Sequence, residues 1–105
     1  MIMYKHVGFL TKRAEQPFAD FVSYWQTAHA DLARQLPGLR RYVLNPIDRT
    51  SNPDSPVDGF AELWFDAEAD AEAAWTSAAG TATAADAQSF LAGLVVVNLH
   101  EITIR

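Results

Sequence analysis

A chain of 105 residues has room for one hydrophobic core, and a formal charge of −5 leaves it without the basic surface that nucleic acid or an anionic membrane requires. Cysteine is absent, which excludes disulfides, thiolate metal sites and a thiolate nucleophile. Half the residues are apolar and none of the apolar runs approaches the roughly 18 residues of a membrane span; the start, MIMYKHVGF, lacks a signal-peptide layout, so the expected location is the cytoplasm.

Ile2–Leu10 reads as a strand, followed by the polar run Thr11–Gln16. Pro17 suits a first helical turn, and the helix it opens, Pro17–Gln35, ends at Pro37-Gly38, which removes a donor and permits a left-handed turn. With Trp25 as origin and about 100° per residue, Phe18, Phe21, Val22, His29, Leu32 and Leu36 all fall within about 60° of it. One histidine thus sits in an otherwise apolar stripe, where an unpaired polar group costs roughly 1–3 kcal/mol. His29 is either fixed by a partner or faces a cavity in which it works.

Leu39–Ile47 reads as the second strand. Asp48–Asp58, rich in Ser, Thr, Pro and Asn, reads as a mobile hairpin connection. Gly59–Phe65 is the third strand, and Ala67–Ala79 an alanine-rich helix that Asp66 is placed to cap. Gly80-Thr81 is the expected break; Ala84–Leu91 follows as a short helix with Thr83 or Asp86 as candidate cap, and Gly93–Ile104 as the last strand. The order β-α-β-β-α-(α)-β fits an α+β, ferredoxin-like domain over residues 1–105: a four-stranded antiparallel sheet with its helices on one face. Yet both faces of the strands carry apolar residues: Val7 and Phe9 oppose Tyr4 and Gly8, and Leu63 and Phe65 oppose Phe60 and Trp64. One helix layer covers one face, so the other calls for a second copy, and a homodimer closing two sheets into an α+β barrel is the economical solution.

The string FADFVSYWQTAHADLARQLPGLRRY, Phe18–Tyr42, resembles the EthD-like proteins of the dimeric α+β barrel superfamily. DGFAELWFD at 58–66 is similar to that family's third strand, and DAQSF at 86–90 to the short helix before its last strand. The superfamily includes lactone isomerases, cofactor-independent monooxygenases, aromatic polyketide cyclases, dye-type peroxidases and proteins of no assigned activity. The resemblance places a catalytic His and Tyr of related isomerases on His29 and Tyr42.

Each candidate has two possible roles. His29 is a general acid/base in a pocket or a structural link between helix and sheet. Tyr42 is a hydrogen-bond donor to a substrate carbonyl or an aromatic packed on the sheet. Glu62 is an inward carboxylate that orients His29 or meets Arg40 or Arg41, or else a charge on an exposed register. Trp25 and Trp64 are walls of a pocket for a planar hydrophobic molecule or, with Trp75, core and interface anchors. His6 and His100 read as half-exposed strand residues. Three histidines without H-x-H or H-x3-H spacing make no compact metal site, and no glycine-rich loop is present to hold a phosphate. The sequence therefore points first to a cofactor-independent enzyme acting on a small hydrophobic cyclic carbonyl or lactone compound. A non-catalytic accessory or binding protein for an aromatic intermediate in a degradation pathway is the alternative, and a haem-dependent peroxidase-like protein the third.

Overall fold

The computed structural model describes residues 2–105. Its elements are β1 (Ile2–Lys12), α1 (Phe18–Tyr24), a π-helical turn (Trp25–His29), α2 (Ala30–Ala33), β2 (Arg41–Pro46), β3 (Gly59–Phe65), α3 (Glu68–Thr76), α4 (Ala78–Phe90) and β4 (Leu91–Ile102). The four strands form one sheet in the order β2-β3-β1-β4, every neighbouring pair antiparallel. This is the ferredoxin-like arrangement expected from the order of elements. The molecule is a slab 19 Å in its shortest dimension, the depth of one sheet and one helix layer.

The helix layer buries one face of the sheet. Phe21 and Trp25 from the first helical segment, with Leu36 just beyond it, pack against Leu10, Ala61, Leu63 and Phe65 and against Phe90 from α4. The first helix ends as the sequence requires, with Gly38 at φ +76°, a left-handed conformation that a side chain disfavours. Its middle is unexpected. Trp25–His29 is a π-turn rather than an α-helix, a local widening that makes i→i+5 hydrogen bonds. Trp25 and His29, four residues apart, are both buried there.

Three local expectations need correction. Asp66 does not cap α3; it pairs with Arg40 at 2.8 Å, while Ala67 occupies the cap without a side-chain bond. The break between α3 and α4 lies at Ser77, whose backbone is extended and whose hydroxyl accepts from Gly80 N. Gly80 sits inside α4 for a steric reason: a Cβ there would lie 2.5 Å from Trp75 O and closer still to Ala74 O. Nor is the 48–58 connection loosely held. Asp48 accepts from the amides of Thr50 and Ser51, and Arg49 donates to Ser55 O, Val57 O and the buried Asp58 carboxylate. Asp58 also accepts from Lys12 N, which ties the connection to β1.

The second face of the sheet is open. Val7, Phe9, Phe60, Val95 and Val97 lie on it, and Val95 and Val97 are 62% and 42% exposed. A polar cluster shares this face. Lys5 Nζ donates to Glu62 at 2.7 Å and to Glu101 at 3.0 Å, Asn45 donates to Glu62, and Trp64 Nε1 donates to Glu101 at 2.9 Å. Burial pushes the Glu62 carboxyl up, but the bonds from Lys5 and Asn45 more than offset it and hold the group below its ordinary value.

The close packing at Gly80 reverses a general rule. Gly→Ala inside a helix ordinarily stabilises by roughly 0.5–1 kcal/mol. Gly80→Ala is expected instead to destabilise by about 1–3 kcal/mol, since the neighbouring backbone must move; urea unfolding of the two proteins measures the sign.

Candidate functional site

Between the helix layer and the sheet lies a cavity of about 180 Å³. Its polar lining comes from His6, His29, Tyr42 and Thr83, and the remainder is almost wholly apolar, with Trp25 and Trp75 among its walls.

His29 enters from the end of the π-turn. Its Nδ1 lies 2.8 Å from Asp86 Oδ2, and Tyr24 donates its hydroxyl to Asp86 Oδ1 at 2.6 Å. The bond to Asp86 raises the Tyr24 phenol above its ordinary pKa, with burial adding to the effect, so Tyr24 remains a donor. A carboxylate only accepts, so Asp86 receives Tyr24 O–H on one oxygen and His29 Nδ1–H on the other. Nε2 of His29 is left without a protein partner and is not sealed from the cavity. Phe90 packs on both rings, with centroids 4.8 Å from Tyr24 and 5.0 Å from His29, and shields the network from the core side. The structural link expected between helix and sheet runs instead from helix to helix, through Nδ1, and Nε2 makes no hydrogen bond among the described residues.

Tyr42 projects from β2 into the same cavity and makes no hydrogen bond among the described residues. Burial pushes its phenol up to about 12, slightly countered by Arg34, so it stays a neutral donor at any physiological pH. Trp25 forms part of the wall and stacks on Phe21 with centroids 5.4 Å apart.

Two expected companions lie elsewhere. Glu62 and Trp64 alternate with Ala61, Leu63 and Phe65 on β3, and so face the open side of the sheet. Glu62 bonds Lys5 and Asn45 and meets neither His29 nor the two arginines. Trp64 lies under Lys5 and Arg41, each 4.8 Å from its ring centroid. Neither lines the cavity. Arg40 meets Asp66, not Glu62.

The residue that orients His29 was expected only as a helix cap. Asp86 occupies the middle of α4 on the stripe with Thr83, Ala87 and Phe90, all three buried. A carboxylate at apolar spacing in a helix starting near Ala78 is the signal that finds it, and placing the break at Gly80-Thr81 obscured it. His6 was expected as a half-exposed strand residue, and it is partly exposed; it also lines the cavity, its ring 4.7 Å from that of Trp75 and its Nδ1 2.9 Å from Asn98 Oδ1. Burial holds the His6 imidazole below its ordinary pKa, partly countered by the bond with Asn98. Among the described residues, no three His, Asp or Glu side chains gather where they could hold a metal ion.

Comparison with known proteins bears on this arrangement. An EthD family protein from Bacillus halodurans is 25% identical and superposes with a TM-score of 0.83 over 95% of this chain and 99% of that one. A dimeric ferredoxin-like protein from Thermobifida fusca, 20% identical, has a TM-score of 0.71 over 93% and 90% of the two chains. The hydroxynitrile lyase of Passiflora edulis, 14% identical, has a TM-score of 0.78 over 95% and 94% and shares the fold alone. In sequence, an uncharacterized 11.0 kDa protein from the thcB–thcC intergenic region of Rhodococcus erythropolis is 28% identical over 79 residues, covering 75% of this chain and 77% of that one. Residues 13–93, from the end of β1 through the helix that carries Asp86 to the start of β4, match the EthD domain, and the chain belongs to the EthD family.

Proposed function

We propose that the protein is an enzyme that moves a proton at a carbon next to a carbonyl group in a small hydrophobic cyclic compound, with His29 as the acid/base and Tyr42 as the hydrogen-bond donor to the carbonyl oxygen. The observation that carries this reading is the asymmetry of His29. One ring nitrogen is fixed by a carboxylate and the other is free in an apolar cavity, the layout in which a carboxylate sets the tautomer and balances the charge the ring acquires. In the reaction the carbon–hydrogen bond breaks, its electron pair passes into an enolate, and the Tyr42 hydroxyl donates to the developing oxyanion. Return of a proton to a different carbon of a conjugated enolate gives an isomer with no other reactant consumed.

Size and polarity restrict the substrate. An apolar cavity of about 150 Å³ admits benzene, so about 180 Å³ suits one substituted ring. The hydroxynitrile lyase with the same fold supports only the fold's capacity to carry an active site.

A second copy completes the assembly in this reading. The dimeric ferredoxin-like neighbours and the exposed Val95 and Val97 support a homodimer joined through the open sheet faces.

Two outcomes are expected. α-Angelica lactone, a small cyclic ester, is converted to its conjugated isomer by the wild-type protein, and His29→Gln lowers that rate by about a hundredfold or more while the protein stays folded by circular dichroism, with a lower melting midpoint because Asp86 loses a donor. Binding of the lactone in a thermal-shift assay without conversion would favour the accessory role. By light scattering after size exclusion, the wild-type protein is a dimer at micromolar concentration and Val97→Glu a monomer; a monomeric wild type contradicts the barrel.

A further inference from the structure

We propose that His6 is a second catalytic residue of this cavity, which takes the carbon-bound proton while His29 delivers one, so that the site works with two imidazoles. The proposal rests on the proton-transfer role given above to the cavity and divides that role between two groups.

The two histidines are built alike from unrelated elements. His29 stands on the helix layer and His6 on β1, and both line the one cavity. In each, Nδ1 is tied to an oxygen, Asp86 Oδ2 for His29 and Asn98 Oδ1 for His6. An amide oxygen only accepts, so His6 Nδ1 carries the proton and Nε2 presents a lone pair. That Nε2 has no protein partner and is not sealed off. Trp75 lies against the ring, tilted by 35° with centroids 4.7 Å apart, and the register sets Asn98 directly beside His6 across the β1–β4 pair.

The anchors differ in charge, and the difference assigns the roles. Asp86 offers a counter-charge to a protonated ring; Asn98 offers none. The groups recorded against the His6 ring, Asn98 from β4 and Trp75 from α3, are uncharged, as is Leu63 opposite it on β3; the titratable groups that share its cavity are His29 and Tyr42. Burial favours the neutral ring. A ring with a carboxylate behind it can carry a charge that a ring backed by an amide cannot balance, which suits the first to the acid and the second to the base. His6 Nε2 then accepts the proton from the carbon beside the carbonyl, and the electron pair enters the enolate held by Tyr42. The His29 imidazolium donates its Nε2 proton to the far carbon of the conjugated system. Water at the cavity mouth takes the proton from His6 and returns one to His29, so the cycle closes with no net loss or gain.

The test uses the full-length protein with α-angelica lactone, in the wild type, His6→Gln and Asn98→Asp. His6→Gln is expected to lower conversion by about a hundredfold or more with the melting midpoint and lactone binding retained. Asn98→Asp places a carboxylate behind His6, favours its protonated form and moves the acid limb of the pH–rate profile to higher pH; a structural histidine would leave that limb in place. Conversion by His6→Gln at the wild-type rate, or an acid limb unmoved in Asn98→Asp, overturns the two-imidazole site and leaves the role of His29 standing. Absence of conversion in the wild type overturns both.

Discussion

The arrangement depends on one carboxylate in an apolar helix stripe. Asp86 stands among Thr83, Ala87 and Phe90 where a hydrophobic residue would be the ordinary choice, and two donors satisfy its carboxyl oxygens. Those donors, Tyr24 and His29, come from the first helical segment, so the same bonds that satisfy the charge fasten α4 to the helices that cover the sheet. Phe90 closes the network on its inner side. The cavity is what remains between this fastened layer and the four strands of the sheet. One edge of the imidazole ring thus serves the structure, and the other meets the cavity.

The sheet divides its two faces between different tasks by the period of two. Even-numbered residues of β1, Tyr4, His6, Gly8 and Leu10, face the helices; Lys5, Val7 and Phe9 face away. A shift of one residue would exchange His6 for Lys5 in the cavity. The cluster of Lys5, Glu62, Glu101 and Trp64 gives the outward face a fixed polar pattern amid valines and phenylalanines.

Much of this was legible in the sequence because the strands announce themselves. The runs 2–10, 39–47, 59–65 and 93–104 lie within a few residues of β1 to β4, and Pro37-Gly38 marks the end of the first helix where Gly38 takes a positive φ. The stripe through Trp25 and His29 was readable for the same reason. What stayed hidden has physical causes. The segment 67–90 is so rich in alanine that neither helix shows a clear apolar face, and Gly80 resembles a breaker although it marks a close backbone approach. Asp86 was thereby assigned to a helix end. Because both faces of β3 are apolar, alternation alone did not tell which of Glu62 and Leu63 looks toward the helices. The π-turn left no trace, since the spacing of Trp25 and His29 already suits an α-helix.

The central claim is that Asp86 holds the proton of His29 on Nδ1 and leaves Nε2 to the cavity. Nitrogen-15 NMR of the imidazole rings tests it directly. The account requires a protonated Nδ1 on His29 at neutral pH in the wild type, and loss of that fixed tautomer in Asp86→Ala. A neutral ring with its only proton on Nε2 would contradict it, because Asp86 would then hold no proton on Nδ1.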